Sequence, residues 1–97
     1  MIISFRNRGT EDIFNQVDSQ PARNLCQPEA WPIARRKLAA LHAASSLNEL
    51  RVPYGNRLHL LKKDRAGQYA IRINDQYRVC FWWTEAGVED VEITDYH

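Results

Sequence analysis

A chain of 97 residues with 44% apolar and 26% charged side chains makes one domain, residues 1–97, whose single core buries roughly 60 to 65% of the unfolded surface. No apolar run approaches the roughly 18 residues that span a bilayer. Arg6 and Arg8 follow the short start Met1-Ile2-Ile3-Ser4-Phe5 too closely for a secretory leader, so a cytoplasmic protein with no membrane partner is expected.

The net charge of +1 conceals a segregation along the chain. From Arg51 to Arg78 seven basic residues stand against Asp64 and Asp75, a net +5, whereas Glu85 to Asp95 holds five acidic residues and no Lys or Arg. One part of the surface can therefore meet a polyanion while another faces solvent or a basic partner.

In chain order, Met1 to Arg6 has the pattern of a first strand with Ile3 and Phe5 on one face. Gly9 and Thr10 open a helix over Thr10 to Val17, with Glu11 and Asp12 suited to its positive end and Ile13, Phe14 and Val17 on one side. Ser19 to Pro28 reads as a loop. A second helix runs from Glu29 to Ser45, because Trp31, Ala34, Leu38 and Leu41 mark one face. Pro28 and Pro32 leave its start open, and Arg35, Arg36 and Lys37 occupy the rest, as a solvated face or a phosphate-binding one.

Val52-Pro53-Tyr54-Gly55-Asn56 is a turn. It leads into a short strand in which Leu58 and Leu60 alternate with Arg57, His59 and Leu61, carrying His59 away from the core; Lys62 follows at the sheet edge and Ala66 and Gly67 close a turn. Tyr69-Ala70-Ile71-Arg72-Ile73 and Tyr77-Arg78-Val79-Cys80-Phe81-Trp82-Trp83 share a period of two and are joined by Asn74-Asp75-Gln76, so they form a hairpin around the central strand. Ile73 then faces Tyr77, Ile71 faces Val79 and Tyr69 faces Phe81, while Arg72 and Arg78 stand side by side on the other face. Two adjacent guanidiniums call for an anionic partner. The last strand, Glu89 to Asp95, puts Val91 and Ile93 against Phe81 and Val79, bringing Asp95-Tyr96-His97 to the end of the sheet that holds the arginine pair. Cys26 and Cys80 have no ligand spacing with each other or with the histidines, so both are expected reduced and no metal or other cofactor is implied. Nor is there a glycine-rich phosphate loop, a Ser-His-Asp signature or a repeat.

The run Arg57-Leu58-His59-Leu60-Leu61-Lys62-Lys63-Asp64-Arg65, the strand opening Tyr77-Arg78-Val79 and the terminal Asp95-Tyr96-His97 together resemble the HigB toxins, a branch of the RelE superfamily of bacterial toxin–antitoxin modules. The opening Ile2-Ile3-Ser4-Phe5, followed by Gly9 and a short helix ending near Phe14, extends the likeness over nearly the whole chain. The resemblance implies an α+β fold with two helices from the N-terminal half packed on one face of a mostly antiparallel four- to five-stranded sheet. It also implies a ribosome-dependent mRNA endonuclease held inactive by a HigA-like helix-turn-helix antitoxin. By position His59, Lys62, Arg78, Asp95, Tyr96 and His97 correspond to the family's active-site residues. Leu60 and Lys63 stand where the family leads one to expect Pro and Gly, which can shift the loop carrying Lys62 but removes no functional group.

The chemistry suits these residues. A metal-free ribonuclease turns the substrate's 2′-hydroxyl on the adjacent phosphate and needs a base, an acid and fixed cations. His59 and His97 can serve as the proton-transfer pair in either order, with Asp95 orienting an imidazole or acting as base itself. Arg78 and Lys62 are the cations, Arg72 a weaker third, and Tyr96 offers a ring for a splayed base. Arg57, Lys63, Arg65, Arg35, Arg36 and Lys37 join Arg72 as contacts to message and ribosomal RNA through phosphates. Two readings of other classes use the same residues. A translation-blocking RNA-binding domain would tolerate loss of His59 and His97, and a protein-binding module would spend the arginine pair on another chain's carboxylates.

Overall fold

The computed structural model describes residues 1–96. Three helices, α1 (Arg8–Phe14), α2 (Gln20–Leu25) and α3 (Trp31–Ala43), precede four strands, β1 (His59–Leu60), β2 (Tyr69–Arg72), β3 (Tyr77–Trp83) and β4 (Val88–Asp95). The strands form one antiparallel sheet in the order β1-β2-β3-β4. The helices pack on one face of it, giving an α+β arrangement of the RelE-like kind.

The hairpin pairs as its alternation predicts: Tyr69 with Phe81, Ile71 with Val79 and Arg72 with Arg78. Asn74 sets the turn, since its Oδ1 accepts from the backbone N–H groups of Gln76 and Tyr77, each at 2.8 Å. Ile71, Val79, Phe81, Val91 and Ile93 are all fully buried, and they meet Ile13, Ala34, Leu38 and Leu41 from the helices. The helical face of α3 is thus the one its spacing marks.

Several boundaries differ from the sequence expectation. Helix α1 begins at Arg8 because Asn7, in extended conformation, caps it and accepts from the Thr10 N–H at 2.9 Å; Thr10 opens nothing. The Thr10 hydroxyl is used inside the fold instead: it donates to Asn7 Oδ1 at 2.7 Å and accepts from the Ile93 N–H at 3.1 Å, tying α1 to β4. The helix stops at Phe14, and Val17 lies beyond it, exposed. Residues 19–28 are not all loop, because Ser19 caps α2 through the Ala22 N–H and Pro21 sits in the first turn. Pro28 opens a 3₁₀ turn, Pro28–Ala30, and Pro32 falls in the first turn of α3, so the two prolines fit and the helix is shorter than the expected 29–45.

The N-terminal segment is no independent strand. It runs parallel to β4 through isolated pairings of Ile2 with Val88 and Phe5 with Val91, so Ile2 and Phe5 pack on the core while Ile3 is half-exposed. In β4 an irregularity opposite Phe81 puts Asp90 in the left-handed region, at φ 52°, yet Ile93 still faces Val79. Of the strand expected near residues 57–61 only His59 and Leu60 pair, and Leu61, not Leu60, is buried. Both cysteines are free and buried; Cys26, 1% exposed at the end of α2, has its thiol pushed up by burial to about 11, which keeps it protonated.

Candidate functional site

The face of the sheet turned away from the helices carries the polar groups. Alternation puts Ala70 and Arg72 of β2, Arg78 and Cys80 of β3, and Glu92 and Thr94 of β4 on this face, and His59 shares it through its pairing with Ala70. Ala70 and Cys80 are fully buried there because Leu61 covers them. The segment after Leu61 folds over the sheet as a compact loop. Leu61 N–H donates to Gln68 carbonyl at 2.8 Å, Gln68 N–H to Arg65 carbonyl at 3.0 Å, and Arg65 Nη1 to Gln68 Oε1 at 3.2 Å and Glu92 Oε1 at 3.0 Å. Between this loop and β3 lies a cleft of about 340 Å³ lined by Leu61, Lys62, Lys63, Asp64, Arg65 and Arg78.

Lys63 explains one of the two departures from the family pattern. Its φ of 58° is left-handed, a conformation glycine adopts without a Cβ penalty, so the loop keeps the shape that a glycine would give it. The lysine holds that shape at a cost. Lys63→Gly should therefore raise stability by about 1 kcal/mol, read as a higher urea midpoint with an unchanged m-value. Leu60, at the other departure, points into solvent at the edge of the sheet.

Arg78 sits where β3 meets β4. Its Nε donates to Thr94 Oγ1 at 3.3 Å and its guanidinium lies 5.2 Å from the centre of the Tyr96 ring, so a hydroxyl and a ring from the end of β4 hold it in place. Arg72, opposite in register, pairs with Asp75. The end of the chain is held by Gln76, whose carbonyl accepts the Tyr96 N–H at 2.8 Å and whose Nε2 donates to Asp95 Oδ2 at 3.0 Å. Asp95 pairs in register with Tyr77, which places it on the helix-facing side of the strand, beside the Arg78 and Tyr96 side rather than on it. His97 lies outside the described residues.

His59 is exposed on β1, and its Nδ1 is 2.8 Å from the Arg57 carbonyl. A carbonyl oxygen only accepts, so Nδ1 carries the hydrogen. The neutral ring therefore presents the Nε2 lone pair to the outside. Arg57, at φ 49°, turns the chain so that Tyr54, Arg57, Leu58 and His59 line a second cleft of about 600 Å³.

The remaining basic residues are placed differently. Arg36 is exposed on α3. Arg35 donates from Nε to the Ile13 carbonyl at 3.1 Å and lies 5.7 Å from the Trp31 ring, and Arg65 is bonded to Glu92; both guanidiniums are tied into the fold. Lys37 Nζ donates to Asn56 Oδ1 in a short bond, and burial, then the charges of Arg36 and Arg72, hold its ammonium below the usual lysine range. The structure thus gathers His59, Lys62, Lys63, Arg72, Arg78 and Tyr96 on one side and keeps Asp95 beside them. Gln76 and Thr94, which position the others, were not singled out from sequence, although Thr94 shares the period-two face of Arg78.

Comparison with known proteins bears on the same residues. The model of the RelE-like toxin of the type II toxin–antitoxin system HigB matches residues 3–97. Toxin HigB-1 of Vibrio cholerae is 44% identical over 50 residues, which cover 52% of this chain and 53% of that protein. An uncharacterized protein of Haemophilus influenzae is 37% identical over 51 residues, covering 53% of this chain and 50% of its own length. The chain spans about half the length of the curated relatives it matches. With nearly every residue matched by the family model, on a sheet that carries the expected cations, the chain belongs to the HigB-like family of RelE-like toxins of type II toxin–antitoxin systems.

Proposed function

We propose that this chain is an endoribonuclease that cleaves messenger RNA on the ribosome, and that a HigA-like antitoxin with a helix-turn-helix domain restrains it in the cytoplasm. The observation that carries the reading is one sheet face that bears both kinds of group: His59, with Nδ1–H held by a backbone carbonyl and Nε2 free to the outside, and the cleft in which Lys62 and Arg78 meet. In the reaction His59 Nε2 takes the proton of the ribose 2′-hydroxyl, and the freed oxygen attacks the neighbouring phosphorus. The P–O5′ bond breaks as the 2′,3′-cyclic phosphate forms, and an acid returns a proton to the departing 5′ oxygen. His97 is the proposed acid, and Asp95 is proposed to orient or charge-tune an imidazole. Lys62 and Arg78 stabilise the charge that builds on the phosphorane oxygens, and Tyr96, against the Arg78 guanidinium, offers its ring to a base. No metal is required, since the substrate supplies its own nucleophile.

Arg57, Lys63, Arg72 and Arg36 guide message and ribosomal RNA through phosphates, a contribution that weakens with salt. Arg35, Arg65 and Lys37, bonded within the fold, add to the field without moving to meet a phosphate.

The test is cleavage of message on translating ribosomes, comparing the full chain with one lacking only His97 and mapping the fragments' 3′ ends. Cuts within codons, ending in cyclic phosphate and slowed roughly 10²- to 10⁴-fold without His97, are the expected result. Translation stopped with the message intact would overturn the endonuclease and favour a domain that blocks the ribosome by binding.

A further inference from the structure

Tyr54 is 92% exposed, more than any other large apolar or aromatic side chain among the described residues. It does not hang from a loose loop. The 3₁₀ turn Tyr54–Asn56 is closed by Asn56 N–H to Pro53 carbonyl at 2.9 Å and Arg57 N–H to Tyr54 carbonyl at 3.1 Å. Asn56 itself is 1% exposed; its Nδ2 donates to the Leu50 carbonyl at 3.0 Å and the Val52 carbonyl at 3.4 Å, and its Oδ1 takes the Lys37 ammonium. The ring is therefore held out in water on a turn fastened from inside.

What surrounds the ring defines an occupant. Tyr54 and His59 stand in the walls of the cleft of about 600 Å³, with Leu58 and Arg57 between them in sequence, and no carboxylate lines it. Arg51 joins Tyr54, Arg57 and Leu58 around an adjoining hollow of about 230 Å³. An apolar ring, an imidazole and two guanidiniums, all on one segment, match a flat base joined to a phosphate. An acidic protein surface would need the arginines alone.

We propose that Tyr54 is the stacking platform of a nucleotide subsite, taking a base of single-stranded RNA close to the scissile linkage, with Arg57 and Arg51 on the attached phosphates. The identification of the substrate as RNA rests on the endonuclease reading, and His59 is the wall the two sites share. Because every base has a π-face, the subsite favours single strands over any particular base.

The probe is a short 2′-O-methyl RNA, which cannot be cleaved, carrying one 2-aminopurine whose fluorescence falls when it stacks. The full wild-type chain should quench it, and Tyr54→Phe and Tyr54→Trp should keep the quench. Tyr54→Ala should lose it and bind roughly 5- to 150-fold more weakly, with the thermal midpoint unchanged because the side chain is exposed. No quench by the wild-type chain, or equal quench and affinity in Tyr54→Ala, overturns the platform. So does loss of antitoxin binding in Tyr54→Ala with RNA binding intact, which would make the ring a protein contact. The two readings fail separately: an uncut message on ribosomes sinks the endonuclease and leaves the quench to be read. Cleavage that needs Lys62 and Arg78 but keeps its rate and fragment pattern in Tyr54→Ala, with binding unaltered, sinks only the platform.

Discussion

Arg78→Ala should lower cleavage of ribosome-bound message by roughly 10²- to 10³-fold, the loss expected when one fixed group facing a developing charge is removed. The effect should fall on kcat. In the proposed reaction ground-state attraction to RNA is shared among Arg57, Lys63, Arg72 and Arg36, so KM should change little, while the phosphorane charge forms at one place. The geometry explains why the guanidinium suits that place. With Nε on Thr94 and the guanidinium against the Tyr96 ring, it is held before substrate arrives and spends little on reorganisation. Arg78→Lys keeps the charge but not the planar contact with the ring, and should recover only part of the rate. Stability should fall by no more than about 1 kcal/mol, the usual worth of a cation–π contact at a partly exposed site. A variant that cleaves at the wild-type rate would remove Arg78 from the mechanism.

The arginine pair was legible in the sequence because the hairpin was. Two runs with a period of two, separated by turn residues, allow one register that buries Ile71, Val79 and Phe81 together, and that register sets Arg72 against Arg78. The anionic partner foreseen for the pair is Asp75, which serves Arg72, while Arg78 leans on a hydroxyl and a ring. Helix α3 was legible for the same reason, since Trp31, Ala34, Leu38 and Leu41 repeat with the helical period.

Elements too short to show a period were not. Helix α2 is six residues, half of them polar, recognisable only by Ser19 and Pro21 at its start, and β1 pairs through two residues. The N-terminal segment changes face between Ile2 and Phe5, which no simple alternation describes. In the site, residue types and sequence neighbours indicated His59, Lys62 and Arg78, but not how each is held. The tautomer of His59 depends on where the Arg57 carbonyl points, and the low ammonium of Lys37 depends on burial and on the charges of Arg36 and of Arg72, far along the chain. The first comes from a left-handed backbone turn at Arg57 and the second from tertiary placement, and the pattern of residue types carries no trace of either.

The loop that holds Lys62 rests on a glycine, and Gly67→Ala should cost roughly 2–5 kcal/mol, a large part of the 5–15 kcal/mol typical of a domain. Two separate causes add. Gly67 has φ 97°, where an L side chain is strained, and a Cβ there would lie 2.6 Å from Cζ3 and 2.9 Å from Cη2 of Trp82. Trp82 is partly exposed on β3, and its indole packs directly on the Gly67 backbone, so an added methyl must displace either the ring or the turn. A double-mutant cycle separates the causes. Removing the ring in Trp82→Ala relieves the overlap but not the backbone strain, so Gly67→Ala should cost about 1–3 kcal/mol less in that background than in the wild type. Additive urea midpoints would mean that the overlap is absorbed elsewhere. The consequence reaches the cleft as well: Gly67 adjoins Gln68, whose backbone bonds to Leu61 and Arg65 close the loop under Lys62. A displacement of about 1 Å at a reacting group can cost 10²-fold in rate, so Gly67→Ala should slow cleavage by about that factor at temperatures where the chain is still folded. Trp82→Ala, which leaves the Gly67 backbone in its own conformation, should slow it far less.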